Sequence, residues 1–389
     1  MKLDVPHSLI TELRELAREL PEAAVFAKAP GRVEILGNHT DYNGGLVLAT
    51  TIERYVWALG VAEEIVSVKS VAFDETVIFD HHEQARSLGN HWDDYVRGVF
   101  WALERRGLKP RGMAAVVDGD VPLEAGLSSS AALEVAIVNL VARLSGLKMS
   151  PKSLAMIAFE AERLFCGVSC GIMDQFTSQL CRPDSLLAIH CANMQTIDLP
   201  LPPDITILVI DSGVSRPAGE ALNERRAECD RATNTLRKAG WNMSNLGQLG
   251  VEQLRSVADI LDPVLVQRVE HVVRENERVR RGIDLLRAGE ISEFGRLMYE
   301  SHDSSRDLFE VSHPNLDLLV AIAKEQRDVI GARLTGAGMG GSIVVLTRGR
   351  AAQSVARTIQ QAYEQEVGLA AEVIVTGIPG GVRTADVRL

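Results

Sequence analysis

The chain has 389 residues, 46% of them hydrophobic and 24% charged, an ordinary globular composition. That length exceeds what one hydrophobic core usually supports, so two domains are expected. A formal net charge of -11 excludes a general nucleic-acid binder, because phosphate backbones are gripped by clustered Lys and Arg, yet it allows a small anion held by backbone N–H groups.

Near the start, Leu9, Leu13, Leu16 and Leu20 recur at helical spacing among Glu and Arg, which predicts an amphipathic helix rather than a signal peptide. No apolar run is long enough to span a bilayer, so a cytoplasmic protein with no membrane partner is expected. Residues 24–62 are glycine-rich and then β-branched, predicting loop and strands. Residues 113–121 predict a strand that enters a tight turn at 122–126. Residues 128–147 then carry Ala and Leu at helical spacing behind three serines. A second helix is predicted at 151–165, followed by a loop holding Gly167 and Gly171. The apolar run 205–210 predicts a strand. Beyond Gly219 helices are predicted at 220–239, 263–288 and 315–326. Strands return at 332–334, 342–346 and 371–375, with a helix at 351–367. Strand-rich and helix-rich halves predict an α+β protein of two lobes, an N-terminal domain at 1–204 and a C-terminal one at 205–389.

The cysteines are Cys166, Cys170, Cys181, Cys191 and Cys229. An odd number without an export signal does not describe a disulfide scaffold. The Cys166–Cys170 spacing would suit a metal pair, but no second pair or His cluster accompanies it, and buried thiols are the expectation.

The segment Pro122-Leu-Glu-Ala-Gly126-Leu-Ser-Ser-Ser130-Ala-Ala132 delivers a turn into a helix whose first residues are small and hydroxylated. The first N–H groups of a helix lack intrahelical partners, and the macrodipole is positive at that end. A phosphate chain can lie against them when no bulky side chain intervenes, and Ala125, Gly126 and Ser128 to Ser130 meet that condition. The plainer alternative is that Ser128 caps a core helix. A second cluster, Gly336-Ala-Gly338-Met-Gly340-Gly341, matches G-x-G-x-x-G. It leads into a predicted strand, so a dinucleotide-binding turn is excluded and close backbone approach to a ligand is expected instead.

Together with Gly31-Arg-Val-Glu-Ile-Leu-Gly37-Asn-His-Thr-Asp-Tyr42-Asn-Gly-Gly and Gly171-Ile-Met-Asp-Gln-Phe176, these segments resemble the galactokinase branch of the GHMP small-molecule kinases. Weaker likeness runs through Trp92 to Gly98 and Asn223 to Arg226. The resemblance implies a two-lobed α+β fold with the active site in the cleft between lobes. It also implies ATP with Mg²⁺, a small sugar as partner, and transfer of the γ-phosphoryl group to an anomeric hydroxyl; apart from the resemblance, a monomer is expected. By the same resemblance Asp174 is the base and Arg32 its charged partner, while Ser130 and Glu162 bind Mg²⁺. Trp92 and Tyr95 flank adenine, and Gly126, Leu127, Ser128, Ser129, Ser130 and Ala131 hold the phosphates. Asn38, His39, Asp41, Gly171 and Leu222 line the sugar site, and Gly336, Gly338, Gly340 and Gly341 form the third motif. Phosphoryl transfer needs positioning, charge neutralisation and a carboxylate to receive the hydroxyl proton, which these residue types supply.

Several residues depart from the family pattern. Galactokinases usually read G-E-H-T-D-Y, with that Glu on the sugar's C6 hydroxyl; this chain has Asn38. A pocket Tyr aligns with Leu222, and Glu124 stands where Gly is common. Met339 and Ser342 replace Phe and Cys. Unsatisfied polar groups discriminate strongly, so a sugar altered at C6 or nearby is an alternative: a uronic acid, another hexose or an N-acetylhexosamine. Two further alternatives are a non-catalytic ATP- and sugar-binding sensor, and a GHMP enzyme for a non-sugar alcohol. Ser130-Ala131 opposes the first, and His39 to Tyr42 opposes the second.

Overall fold

The computed structural model describes residues 4–18, 21–82, 85–86, 91–214 and 218–389, with side chains of 218–221 excluded. The elements of the first half are α1 (His7–Leu16), β1 (Ala23–Leu36), β2 (Leu46–Glu63), β3 (Val66–Ser70), β4 (Glu75–Phe79), α2 (Asp93–Arg105), β5 (Gly112–Gly119), α3 (Ser129–Leu144), α4 (Pro151–Glu160), α5 (Met173–Leu180), β6 (Ser185–His190) and β7 (Gln195–Pro200). Those of the second half are β8 (Ile205–Asp211), α6 (Ala218–Lys238), α7 (Leu254–Ala258), α8 (Pro263–Ala288), α9 (Ile291–Asp307), α10 (Pro314–Lys324), β9 (Val329–Leu334), β10 (Ser342–Arg348), α11 (Ala352–Val367), β11 (Glu372–Thr376) and β12 (Arg383–Arg388).

The long hairpin of β1 and β2 forms the spine of an eight-stranded sheet ordered β12-β1-β2-β5-β3-β4, with β6 on β2 and β7 on β6. One face is covered by α1, where Leu9 and Leu13 pack on Phe26, Leu59, Ala114 and Val116; Leu20 lies outside the described residues. The other face carries the main core, to which α3 contributes Val135, Ile137, Val138 and Leu140. A four-stranded antiparallel sheet, β11-β8-β10-β9, forms a second core with α10 and α11. The predicted boundary between 204 and 205 falls just before β8, although β12 returns to the edge of β1. Among the described residues no helix is long and apolar enough to cross a membrane.

The register of the spine sets where its charged side chains point. β1 and β2 slip between Pro30 and Arg32 and again between Glu34 and Leu36. Such bulges bend a strand and redirect its side chains. Between the two slips the alternation holds, so Arg32 and Glu34 share one face while Val33 and Ile35 enter the core.

Candidate active site

Arg32 is buried and grips Asp174 with two hydrogen bonds of 2.7 Å, from Nε to Oδ1 and from Nη2 to Oδ2. Its Nη1 donates to the Gly126 carbonyl at 2.6 Å, and the backbone N–H of Arg32 donates to the Leu127 carbonyl. One guanidinium thus joins β1, the glycine turn and the first turn of α5. The paired carboxylate outweighs burial and raises the Arg32 pKa. Asp174 keeps 21% of its side chain exposed, and Ser128 Oγ donates to its Oδ2. Ser128 occupies the N-cap position of α3 in the left-handed region at φ 59°, but its hydroxyl makes no capping bond and turns to the carboxylate instead.

Three adjoining cavities run on from this pair, two of them lined by Arg32. The first, about 330 Å³, is lined by Gly126, Leu127, Ser128, Ser129 and Ser130 on one side and Gly338, Gly340 and Gly341 on the other, with Arg32 between. The two glycine-rich turns of the sequence therefore face each other. They are tied by Ser342 Oγ donating to the Ala125 carbonyl and by the close approach of Gly336 to Gly126. Gly336 leads through this turn into β10, not into a helix. Ala131 is buried at the first turn of α3 behind Ser130. Glu124 is exposed at the rim, in the left-handed region at φ 59°.

A second cavity, about 160 Å³, shares Arg32 and Ala337 with the first and is lined by Glu34, Asn38, His39, Asp41, Tyr42, Glu162, Cys170, Gly171, Asp174 and Leu222. His39 Nε2 reaches the Ala337 carbonyl at 3.2 Å and Nδ1 the Tyr42 hydroxyl at 3.0 Å. A carbonyl only accepts, so Nε2 carries the proton and Nδ1 accepts from Tyr42. Burial pushes the His39 pKa down to about 3, which fixes that neutral form. Asp41 is pushed up to about 6 by burial and then by the charge of Asp174; its carboxylate packs against Gly171. Asn38 Nδ2 donates to Glu34 Oε2 and to the Gly336 carbonyl, both at 3.0 Å, and its Oδ1 accepts from Ser305.

Glu162 lies on a π-helical turn (Ala161–Cys166) that continues α4, a geometry often found at functional sites. It is buried, accepts from Ser130 Oγ at 2.9 Å, and accepts from Gln175 Nε2, which also donates to Glu134. Burial, then the charge of Asp174, raises the Glu162 pKa. The third cavity, about 370 Å³, shares Ser129 and Ser130 with the first and is lined by Phe73, Trp92, Tyr95, Val121 and Leu133. Trp92 stacks near Phe73, with ring centroids 6.2 Å apart, and its Nε1 donates to Glu75. Cys166 and Cys170 are free thiols, their pKa values raised chiefly by burial.

The structure thus brings the predicted site residues to the walls of three adjoining cavities, except Ala131, which is buried behind Ser130 and lines none of them. Sequence reasoning overlooked Glu34, Tyr42, Glu134, Gln175 and Arg333. For Glu34 a signal existed, since it stands two residues beyond Arg32 on the same strand.

Comparison with known proteins bears on this geometry. A model of the GHMP kinases N terminal domain matches residues 94–181, and one of the GHMP kinases C terminal matches residues 283–365. A model of the galactokinase galactose-binding signature matches residues 15–60. The chain is 39% identical over 361 residues to the galactokinase of Roseiflexus sp. (strain RS-1), covering 92% of each chain. It is 36% identical over 378 residues to that of Haemophilus influenzae (strain Rd), covering 94% of this chain and 96% of the relative. The crystal structure of Lactococcus lactis galactokinase complexed with galactose superposes with a TM-score of 0.92 at 29% identity, over 96% of this chain and 98% of that one. A mevalonate kinase structure shares the fold at a TM-score of 0.64 and 16% identity.

Proposed function

We infer the function from one premise: this chain belongs to the galactokinase family of the GHMP kinases. It is an enzyme, an ATP-dependent galactose kinase. The roles of its residues are our proposal, and one observation carries them: Arg32 lines both the glycine-walled cavity and the Asp174 cavity while holding Asp174 by two hydrogen bonds.

The sugar enters the Asp174 cavity with its anomeric hydroxyl toward the carboxylate. ATP lays adenine in the Trp92 and Tyr95 cavity and its phosphates between the two glycine turns, against the N-terminal N–H groups of α3. Asp174 takes the hydroxyl proton as the sugar oxygen bonds to the γ-phosphorus and the bond to the β,γ-bridging oxygen breaks, releasing ADP. Arg32 stabilises charge on the moving phosphoryl group, and Ser128 fixes the carboxylate's orientation. Ser130 Oγ and Glu162 Oε1, 2.9 Å apart beside the phosphate cavity, are hard oxygen donors of the kind Mg²⁺ takes together with phosphate oxygens. When bound there, Mg²⁺ supplies positive charge to those oxygens; Gln175 keeps Glu162 aimed. We further propose a monomeric, cytoplasmic enzyme divided into domains near residue 204.

The uronic acid alternative is opposed by Glu34, since a sugar carboxylate would meet a second acidic group in the cavity wall. Asp174 and Arg32, both in place, oppose the sensor. ADP release measured across hexoses, uronic acids, N-acetylhexosamines and pentoses tests the reading. Galactose should give the highest kcat/KM, and no turnover with galactose would sink it.

A further inference from the structure

Glu34 has no part in the chemistry described above, yet it is 2% exposed and lines the same cavity as Asp174. A carboxylate so deeply buried needs compensation. The protein provides only part of it. Oε2 accepts from Asn38 Nδ2 at 3.0 Å, and Arg333 Nη2 stands 3.9 Å from that same oxygen. Oε1 has no hydrogen-bond partner among the described residues. Arg333 is itself wholly buried, and its Nε, Nη1 and Nη2 also lack hydrogen-bond partners among the described residues. Its charge faces Glu34 from β9, and Thr335, two residues on, pins the Glu34 backbone through its hydroxyl in both directions.

Asn38 cannot play the part of a main sugar ligand. Both protons of its amide are engaged, by Glu34 and Gly336; its Oδ1 accepts from Ser305 and its backbone carbonyl from His271. What Asn38 does is hold Glu34. The carboxylate that the sequence lacks at position 38 is present in the cavity wall, delivered from β1.

We propose that Glu34, clamped by Asn38 and backed by Arg333, is a specificity-determining residue: its Oε1 accepts a hydrogen bond from a sugar hydroxyl other than the one phosphorylated, and it selects neutral hexoses over sugar acids. This rests on the galactose kinase reading above. A hydroxyl supplies the donor that Oε1 lacks. A uronate would set two carboxylates together in a buried space, with the charge of Arg333 already shared.

The test compares kcat/KM at pH 8, above the Glu34 value of about 7, for galactose, the monodeoxygalactoses that keep the anomeric hydroxyl, and galacturonate in the wild type, Glu34→Gln and Glu34→Asp. In the wild type, galacturonate and one deoxy sugar should fall below galactose by about tenfold or more, the loss expected when a charged acceptor goes unpaired. Glu34→Gln should shrink the deoxy penalty to within about twofold while KM for ATP holds, because a neutral acceptor in its place gains far less from that hydroxyl. Glu34→Asp keeps the charge opposite Arg333, covers the case in which the Gln variant does not fold, and should show an intermediate penalty. An unchanged deoxy penalty in a folded variant, an equal loss for every sugar, or a wild type that accepts galacturonate as readily as galactose would each overturn the proposal. Absence of galactose turnover in the wild type is the separate outcome that removes the underlying reading and this inference with it.

Discussion

Asp174 is the residue on which three segments of the chain converge, and its environment makes its replacement informative. Arg32 and Ser128 both donate to it, so Asp174→Asn keeps an oxygen acceptor in place while losing the ability to take a proton. We expect kcat to fall by about 10²–10⁴-fold, the usual weight of a positioned general base, with galactose and ATP affinities by calorimetry nearly unchanged. A variant retaining a tenth or more of wild-type turnover would refute the role of Asp174 as base. Gly171 tests the sugar side independently. A Cβ there would stand 2.1 Å from Asp41 Oδ2, so Gly171→Ala must displace the Asp41 carboxylate. KM for galactose should rise while KM for ATP stays level; a parallel rise in both would mean general damage rather than a local displacement.

At the scale of elements, the sequence shows most clearly where local signals agree. Asp262 accepts from the Leu265 N–H, Pro263 opens α8, and Gly289 closes it in the left-handed region, so its limits were readable to the residue. The pattern read from the sequence omits the helices α2, α5, α7 and α9 and the strands β3, β4, β6, β7 and β12. α9 has an apolar stripe of Ile291, Phe294, Leu297 and Met298 over its first two turns only; beyond them its buried side is Ser301, His302, Ser304 and Ser305, and partners that satisfy those groups lie on other elements: Glu275 for Ser301 and Asn38 for Ser305. The site divides the same way. Glycines and serines at the α3 start speak through local chemistry, whereas the Gln175 bridge between Glu134 and Glu162 joins residues 41 and 13 positions apart and leaves no local trace. The glycine turn before β10 shows why glycine stands at position 338. Gly338 has φ +79°, and a Cβ there would meet the Val311 carbonyl at 2.0 Å. Gly338→Ala should therefore lower stability by roughly 2 kcal/mol or more, through strain and displacement together, and raise KM for ATP. Gly146→Ala, equally left-handed at φ +65° but with nothing near its Cβ, is the control and should melt closer to the wild type. Equal melting of the two variants would show that the contact with Val311 is not what constrains the turn.

The molecule as a whole confines titratable groups of both kinds in its cleft, and their opposed shifts set its response to pH. Burial pushes Glu34 up to about 7 and Asp41 up to about 6. For acids raised in the folded state, ionisation is penalised only in that state. The penalty is absent below their unfolded values near 4 and grows as pH rises through 6 and 7. Glu134 and Glu162 are shifted the same way. Burial pushes His39 down to about 3 and His271 down to about 4. Those imidazoles favour the folded state fully above their unfolded pKa of about 6.5, and that contribution is lost as pH falls through 6.5 toward 4. Descending from pH 8, the acids alone regain stability down to about 6.5; below that the histidines begin to remove it while the acids go on regaining it toward 4. The ligand-free protein should therefore gain stability as pH falls from 8 to about 6.5 and lose it below about 4, with its highest melting temperature between those limits. Bound Mg²⁺ and nucleotide would favour ionised Glu162, and galactose would give the Glu34 carboxylate its missing donor. Saturating ligands should accordingly flatten the alkaline limb and leave in place the acid limb, set by His39, His271 and Glu275, whose pKa, against burial, Arg278 holds down to about 2. Melting curves of the free and ligand-saturated protein between pH 4 and 9 decide the matter, and a free protein whose stability climbs steadily to pH 8 would show that the buried carboxylates are not strained by ionisation.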